Sequence, residues 1–140
     1  MNARRSGFNE LIGLTLVSIT LDEVVAELEV TPHHVQPYGL VHGGVYASMI
    51  ETTCSVAAAV NVMSEGLTCV GLENTTSFLR ATRTGKLRCT ATPLQRGRRS
   101  HVWQADVTRD DGKLAASGRV RCLILEQGSA AAGEVLRVRQ

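Results

Sequence analysis

Residues 38–55 read YGLVHGGVYASMIETTCS, a loop followed by a run of small and apolar residues. His42-Gly43-Gly44 predicts a helix start, and the run continues to about Met63, after which Gly66 suits a C-terminal cap. Glu51 is the only charged residue between His42 and Glu65. The segment therefore predicts one long, mostly apolar helix.

This predicted helix has two unlike faces when residues are placed about 100° apart. A bulky face suits packing on a sheet; it carries Val45, Tyr46, Met49, Val56, Val60 and Met63. A small, partly polar face suits close approach of another surface or a ligand; it carries Gly44, Ala47, Ser48, Glu51, Cys54, Ser55 and Ala58.

Strand patterns surround the helix. Residues 8–14 predict a short helix or turn, residues 16–31 a strand interrupted near residues 21–23, and residues 32–39 a loop. Turn signals such as Asp110-Asp111-Gly112 separate four later strands, whose regular spacing predicts consecutive antiparallel pairing. These strands cover residues 68–77, 86–93, 101–109 and 114–125. The predicted fold class is α+β.

Length and composition indicate one globular domain over residues 1–140, with a core over about 8–125 and a small polar tail, 126–140, expected to be poorly ordered. The chain is 44% hydrophobic and 20% charged, which excludes a disordered or fibrous protein. No window of about 18 residues lacks polar side chains, and no signal-like apolar core follows the basic start, so we expect no membrane partner.

The four cysteines form no CxxC pair, which predicts reduced thiols in a cytoplasm and no zinc ribbon. The adjacent His33 and His34 lack the spacing of metal ligands, and His101 is expected on a strand surface near Trp103. Cys54 is read as a small buried residue. No metal and no cofactor are expected.

Charge is distributed unevenly along the chain. Residues 1–70 hold two basic and seven acidic side chains, a balance of −5, whereas residues 71–140 hold thirteen basic and six acidic ones, a balance of +7. The basic half suits a phosphorylated small molecule or simple solvation of strand edges. It is too dilute, in a chain with 4% aromatic residues, to predict a nucleic-acid partner.

Glu51 and the His42-Gly43-Gly44 motif are the two chemical signals. A carboxylate in an apolar run indicates acid–base or nucleophilic chemistry, or else an ion pair with a strand arginine. The first N–H groups of a helix lack internal partners and suit polarising a carbonyl, although the motif also fits an ordinary loop-to-helix turn.

Gly43 and Glu51 are eight residues apart, about 12 Å along one helix. They cannot both touch one reacting carbon from the same helix, but they could if two copies of the helix ran antiparallel. The spacing therefore predicts a homo-oligomer with a site shared across a two-fold axis.

At these residues the sequence resembles the hot-dog-fold acyl-CoA thioesterases, in the group that includes the phenylacetate-pathway and 4-hydroxybenzoyl-CoA enzymes. The resemblance covers residues 8–125 and includes Gln36, His42-Gly43-Gly44, Glu51, VGLENTTSFLRAT and GRRSHVWQADV. It implies a sheet wrapped round the helix, paired chains that often double to a homotetramer, and hydrolysis of an acyl- or aryl-CoA.

The resemblance also implies roles for individual residues. The Gly43 N–H would bind the thioester carbonyl, and Glu51 of the partner chain would act as nucleophile or general base. Gln36 and His42 would orient the thioester, and Ser55 would place the hydrolytic water.

Substrate-binding residues follow from the same resemblance. Gly44 joins the carbonyl end of the site, and Phe78, with Leu79, replaces histidines of the naphthoyl-type relatives, which implies an apolar acyl pocket. The candidates for contact with CoA, whose phosphates suit the arginine fork, are Arg80, Arg96, Arg98, Arg99 and Ser100. An exposed turn with solvated charges is the alternative for residues 96–100.

Two other functions compete with the thioesterase. A hot-dog hydratase or dehydratase would need a catalytic histidine paired with an acid in a different motif, which the sequence lacks. A non-catalytic acyl-CoA sensor usually carries a DNA-binding segment, and residues 1–15 are too short for one. Ser48 and Ser55 have no histidine at a spacing that predicts a serine triad.

Overall fold

A computed structural model describes residues 7–137 of the chain. It contains one six-stranded antiparallel sheet and one long helix, which confirms the predicted α+β class and the sheet wrapped round a helix. The helices are α1 (Phe8–Leu11) and α2 (Gly43–Val62), with 3₁₀ turns at Pro32–His34 and Met63–Glu65. The strands are β1 (Thr15–Ile19), β2 (Val24–Glu29), β3 (Leu67–Phe78), β4 (Lys86–Arg96), β5 (Ser100–Thr108), β6 (Leu114–Glu126), β7 (Ala130–Ala131) and β8 (Glu134–Val135).

The strand order in the main sheet is β1-β2-β4-β5-β6-β3. Consecutive pairing is confirmed for β4, β5 and β6 but is wrong for β3, which pairs with β6. Both edges of β4 are used, one by β2 and one by β5, so β3 adds at the outer edge of β6. As a result β3 is a twelve-residue edge strand that runs beside α2.

The core lies between α2 and the sheet. The side of α2 that packs on the sheet combines residues of the predicted bulky face with residues of the predicted small face. The small side chains of Ala57 and Ala58 let the helix lie close to the sheet. Val60 is only half-buried and Met63 is exposed, which makes the predicted bulky face wrong in part. The fully enclosed α2 residues are Tyr46, Met49, Ile50, Thr53, Cys54, Ala57, Ala58 and Val62.

The segment Gly43–Glu65 is long and apolar enough to cross a membrane by length and composition alone. Its location explains its apolar character. It is the core helix of the sheet, and 44% of the apolar window is buried inside the domain. The apolar composition of this segment is therefore explained by its packing in the core of the domain.

The ends of the main elements follow glycine chemistry. Gly66 adopts the left-handed conformation with φ 73°, which confirms it as the cap after α2. A poorly ordered tail is expected beyond β6, yet β7 and β8 pair as a short hairpin there. Ala132 and Gly133 both have positive φ, as a tight hairpin turn requires. Residues 1–6 and 138–140 of the predicted domain lie outside the described residues.

Candidate active site

Glu51 lies in the middle of α2, on the half-buried face toward β3. Asn74 Nδ2 donates a hydrogen bond of 3.0 Å to its Oε2, and Ser55 Oγ lies 3.4 Å from its Oε1. No ion pair within residues 7–137 includes Glu51, so the alternative of a strand arginine as its partner is wrong for the described chain. The neighbours that hold the carboxylate are therefore neutral donors.

Gly71 of β3 provides the space that the Glu51 carboxylate occupies. A Cβ built on Gly71 would collide with Glu51 Oε1. The β3–β6 pairing also shifts register between Gly71 and Glu73, which marks a β-bulge beside the carboxylate. Gly71 and Asn74 are not among the residues predicted from the sequence, although a glycine inside a strand pattern is a known sign of close approach.

The start of α2 is capped by His42. Its Nδ1 accepts the Gly44 N–H at 2.8 Å, which places a ring proton on Nε2. Gly44 therefore has its N–H engaged with the side chain of His42. No hydrogen bond of the described chain uses the Gly43 N–H, which is the unpaired donor at this helix end.

A buried histidine fixes the loop before α2. Thr31 N–H donates to His34 Nδ1 at 2.8 Å, so His34 Nε2 carries the proton that meets Ile12 O at 2.8 Å. The His34 carbonyl accepts the His42 N–H at 2.8 Å, which holds the helix cap in place. Gln36 is half-buried in this loop, and its Oε1 accepts the Tyr38 N–H.

Phe78 lies against the start of α2. A Cβ built on Gly43 would collide with its ring, and the Tyr46 ring centroid is 6.1 Å from the Phe78 centroid. The Phe78 side chain is 59% exposed and Leu79 is 55% exposed. An apolar surface therefore borders the free Gly43 N–H, as the apolar acyl pocket requires.

The predicted catalytic residues of α2 and the substrate-binding residue Phe78 fall into two groups in one chain. Gly43, His42 and Phe78 lie at the N-terminal end of α2, whereas Glu51 and Ser55 lie at its middle beside β3. Because α2 is continuous from Gly43 to Val62, Gly43 and Glu51 are about 12 Å apart. One chain does not bring them together.

The predicted CoA-binding arginines lie elsewhere. Arg80 is exposed two residues after Phe78, and its Nη1 donates to Leu114 O at 2.8 Å. Arg96 is engaged structurally, with Asp22 Oδ1 at 2.8 Å and Asn61 Oδ1 at 3.1 Å. Asn61 is ten residues after Glu51. The C-terminal end of α2, where Arg96 binds, is therefore about 15 Å from the Glu51 carboxylate.

Arg98 and Arg99 line an open groove of about 720 Å³ with Arg96 and His101. No ion pair of the described residues engages either Arg98 or Arg99, and Ser100 closes the turn by accepting the Gly97 N–H at 3.0 Å.

His101 is buried rather than on the strand surface, because alternation along β5 turns it inward with Trp103. Burial and the Arg96 cation lower the pKa of His101, so the ring stays neutral at neutral pH.

Neither Cys54 nor Cys89 shows a sign of nucleophilic chemistry. Burial raises the pKa of Cys54 well above its ordinary value, and the charges of Cys89 and Glu51 add to the effect. Burial likewise raises the pKa of Cys89 to about 12. Within residues 7–137 no three His, Cys, Asp or Glu side chains come together as a metal site.

Comparisons with known proteins identify the family of the chain. The thioesterase superfamily pattern matches residues 38–116. A provisionally named esterase of Mycobacterium tuberculosis is 40% identical over 121 residues, which cover 85% of this chain and 86% of the relative. The structure of that esterase has a TM-score of 0.83 at 41% identity, and covers 85% of this chain and 96% of its own.

Two further relatives carry more specific names. The 1,4-dihydroxy-2-naphthoyl-CoA hydrolase of Escherichia coli is 35% identical over 104 residues, 74% of this chain and 76% of the relative. The crystal structure of a Haemophilus influenzae thioesterase has a TM-score of 0.80 at 32% identity, and covers 84% of this chain and 82% of its own. With this fold, this sequence pattern and these hydrolase relatives, the chain belongs to the thioesterase superfamily as a thioester hydrolase with the hot-dog fold.

Proposed function

We propose that this protein hydrolyses an acyl- or aryl-CoA thioester to the free acid and CoA. The observation that carries the proposal is the Glu51 carboxylate, which lies without a cationic partner in the described chain, beside the gap left by Gly71. The naphthoyl-CoA hydrolase name of the Escherichia coli relative supports CoA as the thiol part of the substrate. Hydrolase relatives favour this function over the hydratase and sensor alternatives. The reduced thiols suit a cytoplasmic enzyme.

The proposed site is shared between two copies of the chain. Two α2 helices that run antiparallel would bring Glu51 of each copy opposite Gly43 of the other. The unpaired edge of β3 lies next to the Glu51 face of α2, so the two edges would meet as the helices do. A dimer of dimers would repeat this unit.

Light scattering tests the assembly directly. We expect a mass of at least twice the 15.0 kDa of one chain at micromolar concentration, because a single chain holds only half of each site. A dimer or a tetramer satisfies the proposal. A monomer that hydrolyses CoA thioesters would contradict the shared site.

The proposed chemistry is divided between the start of α2 in one chain and the middle of α2 in the other. The Gly43 N–H would donate to the thioester oxygen as negative charge develops there, helped by the positive end of the helix dipole. His42 Nε2 and the Gln36 amide are the proposed donors that orient the thioester. Ser55 Oγ, one turn after Glu51, would hold the attacking water.

Two routes are open to Glu51. In one, a carboxylate oxygen attacks the carbonyl carbon, the C–S bond breaks, the thiolate takes a proton from water, and water hydrolyses the resulting anhydride. In the other, Glu51 takes a proton from a water molecule as its oxygen attacks the carbon, and that proton passes to the departing sulfur.

The groove beside Arg98 and Arg99 is the proposed contact for CoA phosphates, with Ser100 at its turn and Arg80 as a further cation. An Arg98→Ala, Arg99→Ala double variant should raise KM about 5- to 50-fold with kcat nearly unchanged, because phosphate contacts far from the carbonyl act equally on ground and transition states. Steady-state kinetics at low and high salt would measure this. The control is Arg88→Ala, which removes an exposed cation on β4 that does not line the groove. An unchanged KM would exclude the groove.

A substrate panel tests the function as a whole. Release of free CoA thiol is measured with short, long-chain, benzoyl, phenylacetyl and hydroxybenzoyl thioesters. The apolar border of Phe78 and Leu79 favours an acyl group without hydroxyls, so we expect higher kcat/KM for benzoyl-CoA than for its hydroxylated analogue. No hydrolysis across the panel, with tight binding by calorimetry, would favour the sensor alternative instead.

A further inference from the structure

We infer that Asn74 is a positioning residue that anchors one oxygen of Glu51 and leaves the other for the reaction. This inference rests on the proposed function of Glu51. The Asn74 amide donates to Glu51 Oε2 and to the Ala47 carbonyl, both at 3.0 Å. It therefore joins the edge strand to the carboxylate and to the helix backbone at once.

The two acceptors on α2 fix the orientation of this amide, and Thr76 supports it. The Glu51 carboxylate and the Ala47 carbonyl require the amide nitrogen, and Thr76 Oγ1 donates to Asn74 Oδ1 at 2.7 Å on the other side. With the amide reversed, Asn74 would present an oxygen to the carboxylate oxygen, and both contacts to α2 would be lost. Thr76 and Asn74 thus act as a two-step hydrogen-bond chain toward Glu51.

The two oxygens of Glu51 are consequently unlike. Oε2 is anchored by a hydrogen bond of good length, whereas Oε1 has only Ser55 Oγ at 3.4 Å and the space beside Gly71. A nucleophile or base must hold its lone pairs toward the reacting atom, and an anchored carboxylate loses its freedom to rotate away. Oε1 is therefore the reacting oxygen.

The bulge in β3 is what brings Asn74 to this place. Cys69 and Gly71 face α2, as shown by the Cys69 thiol 3.5 Å from Ser55 O and by the Gly71 contact with Glu51. Strict alternation would turn Glu73 to the helix next. The register shift between Gly71 and Glu73 turns Asn74 inward instead, and Glu73 lies exposed 3.7 Å from Arg121. Because of the bulge, the neutral donor Asn74 faces Glu51, and the second carboxylate, Glu73, does not.

The first test is Asn74→Ala, assayed beside wild type and Glu51→Gln on the best substrate of the panel. Loss of a hydrogen bond to the charged carboxylate should lower kcat roughly 10- to 100-fold with KM within about threefold. Thr76→Val should lower kcat by a smaller factor of about 3–10, because Asn74 Oδ1 then loses its donor and the amide is held less firmly. Thr75→Val is the matched control, since Thr75 is the exposed neighbour on the same strand.

The near-isosteric Asn74→Asp variant separates positioning from simple structural support. At neutral pH it sets two carboxylates against each other, and we expect kcat to fall at least as far as in Asn74→Ala. Two carboxylates in contact share a proton as pH falls, and the shared proton restores a donor to Oε2. The ratio of variant to wild-type kcat should therefore rise between about pH 8 and pH 5.5, whereas that of Asn74→Ala should stay flat.

The possible failures are distinguishable. Circular dichroism and light scattering confirm that each variant is folded and assembled. If Glu51→Gln is inactive while Asn74→Ala and Asn74→Asp retain wild-type kcat, the positioning role is overturned and the proposed function stands. If Asn74→Asp loses activity by the same factor at every pH, Asn74 supports only the structure. If Glu51→Gln stays active, Glu51 is not part of the mechanism and the role of Asn74 falls with it, whereas hydrolysis itself stands; the proposed function fails only if the wild-type protein hydrolyses no CoA thioester.

Discussion

Glu51→Gln is expected to lower kcat for CoA thioester hydrolysis by about 10²–10⁴-fold, the range of a positioned acid–base group. Glutamine has nearly the shape of glutamate, and its amide oxygen can still accept from Asn74 Nδ2. The fold and the assembly should therefore persist, while the carboxylate oxygen that attacks the carbonyl carbon or takes a proton from water is lost. Thiol release under saturating substrate measures the effect.

The control for this prediction is Glu29→Gln, which removes an exposed carboxylate at the end of β2. It should leave kcat and KM near wild type. Melting temperature and light scattering show whether either variant has lost structure. A Glu51→Gln protein that turns over at nearly the wild-type rate would remove Glu51 from the mechanism.

Gly43→Pro is expected to lower kcat by about 10²–10³-fold, as removal of one oxyanion donor does. Proline deletes the N–H that the described chain leaves unpaired, and it is favoured at the first position of a helix. The preceding residue must be extended, and His42 already has φ −64° and ψ 136°. The helix start can therefore accept proline without unwinding.

Gly43→Ala is the matched control, because it adds the same Cβ against the Phe78 ring but keeps the N–H. Any effect of moving the ring should appear in both variants, and the loss beyond Gly43→Ala reports the N–H alone. We expect Gly43→Ala to change kcat much less than Gly43→Pro. Equal kcat in the two variants would show that this N–H does not bind the developing oxyanion.

The sequence predicted those parts of the fold that depend on local pattern. The apolar run after His42-Gly43-Gly44 gave the long helix because its composition and cap are local signals. Glu51 could be identified as a candidate because a single carboxylate in an apolar helix indicates either chemistry or an ion pair. Turn chemistry likewise gave the strands and the meander of β4, β5 and β6.

Long-range contacts were not predictable in the same way. The pairing of β3 with β6 depends on which sheet edges remain free, and no local pattern reports that. The bulge that turns Asn74 rather than Glu73 toward Glu51 depends on that pairing in turn. Gly71 and Asn74 were therefore missed, although both contact the residue that the sequence identified best.

Subunit mixing tests the shared site most directly. Chains carrying Glu51→Gln and chains carrying Gly43→Pro are each nearly inactive as homo-oligomers. They are mixed in equal amounts after reversible unfolding, or co-expressed with two tags and purified as mixed assemblies. A mixed dimer then holds one site with both lesions and one site with an intact Gly43 and an intact Glu51.

The account predicts that random mixing restores about one quarter of wild-type activity, since half of the dimers are mixed and each has one good site. Wild-type chains carried through the same procedure correct for losses in refolding. Activity that stays at the level of the separate variants, in assemblies shown to be mixed, would contradict a site built from Gly43 of one chain and Glu51 of the other.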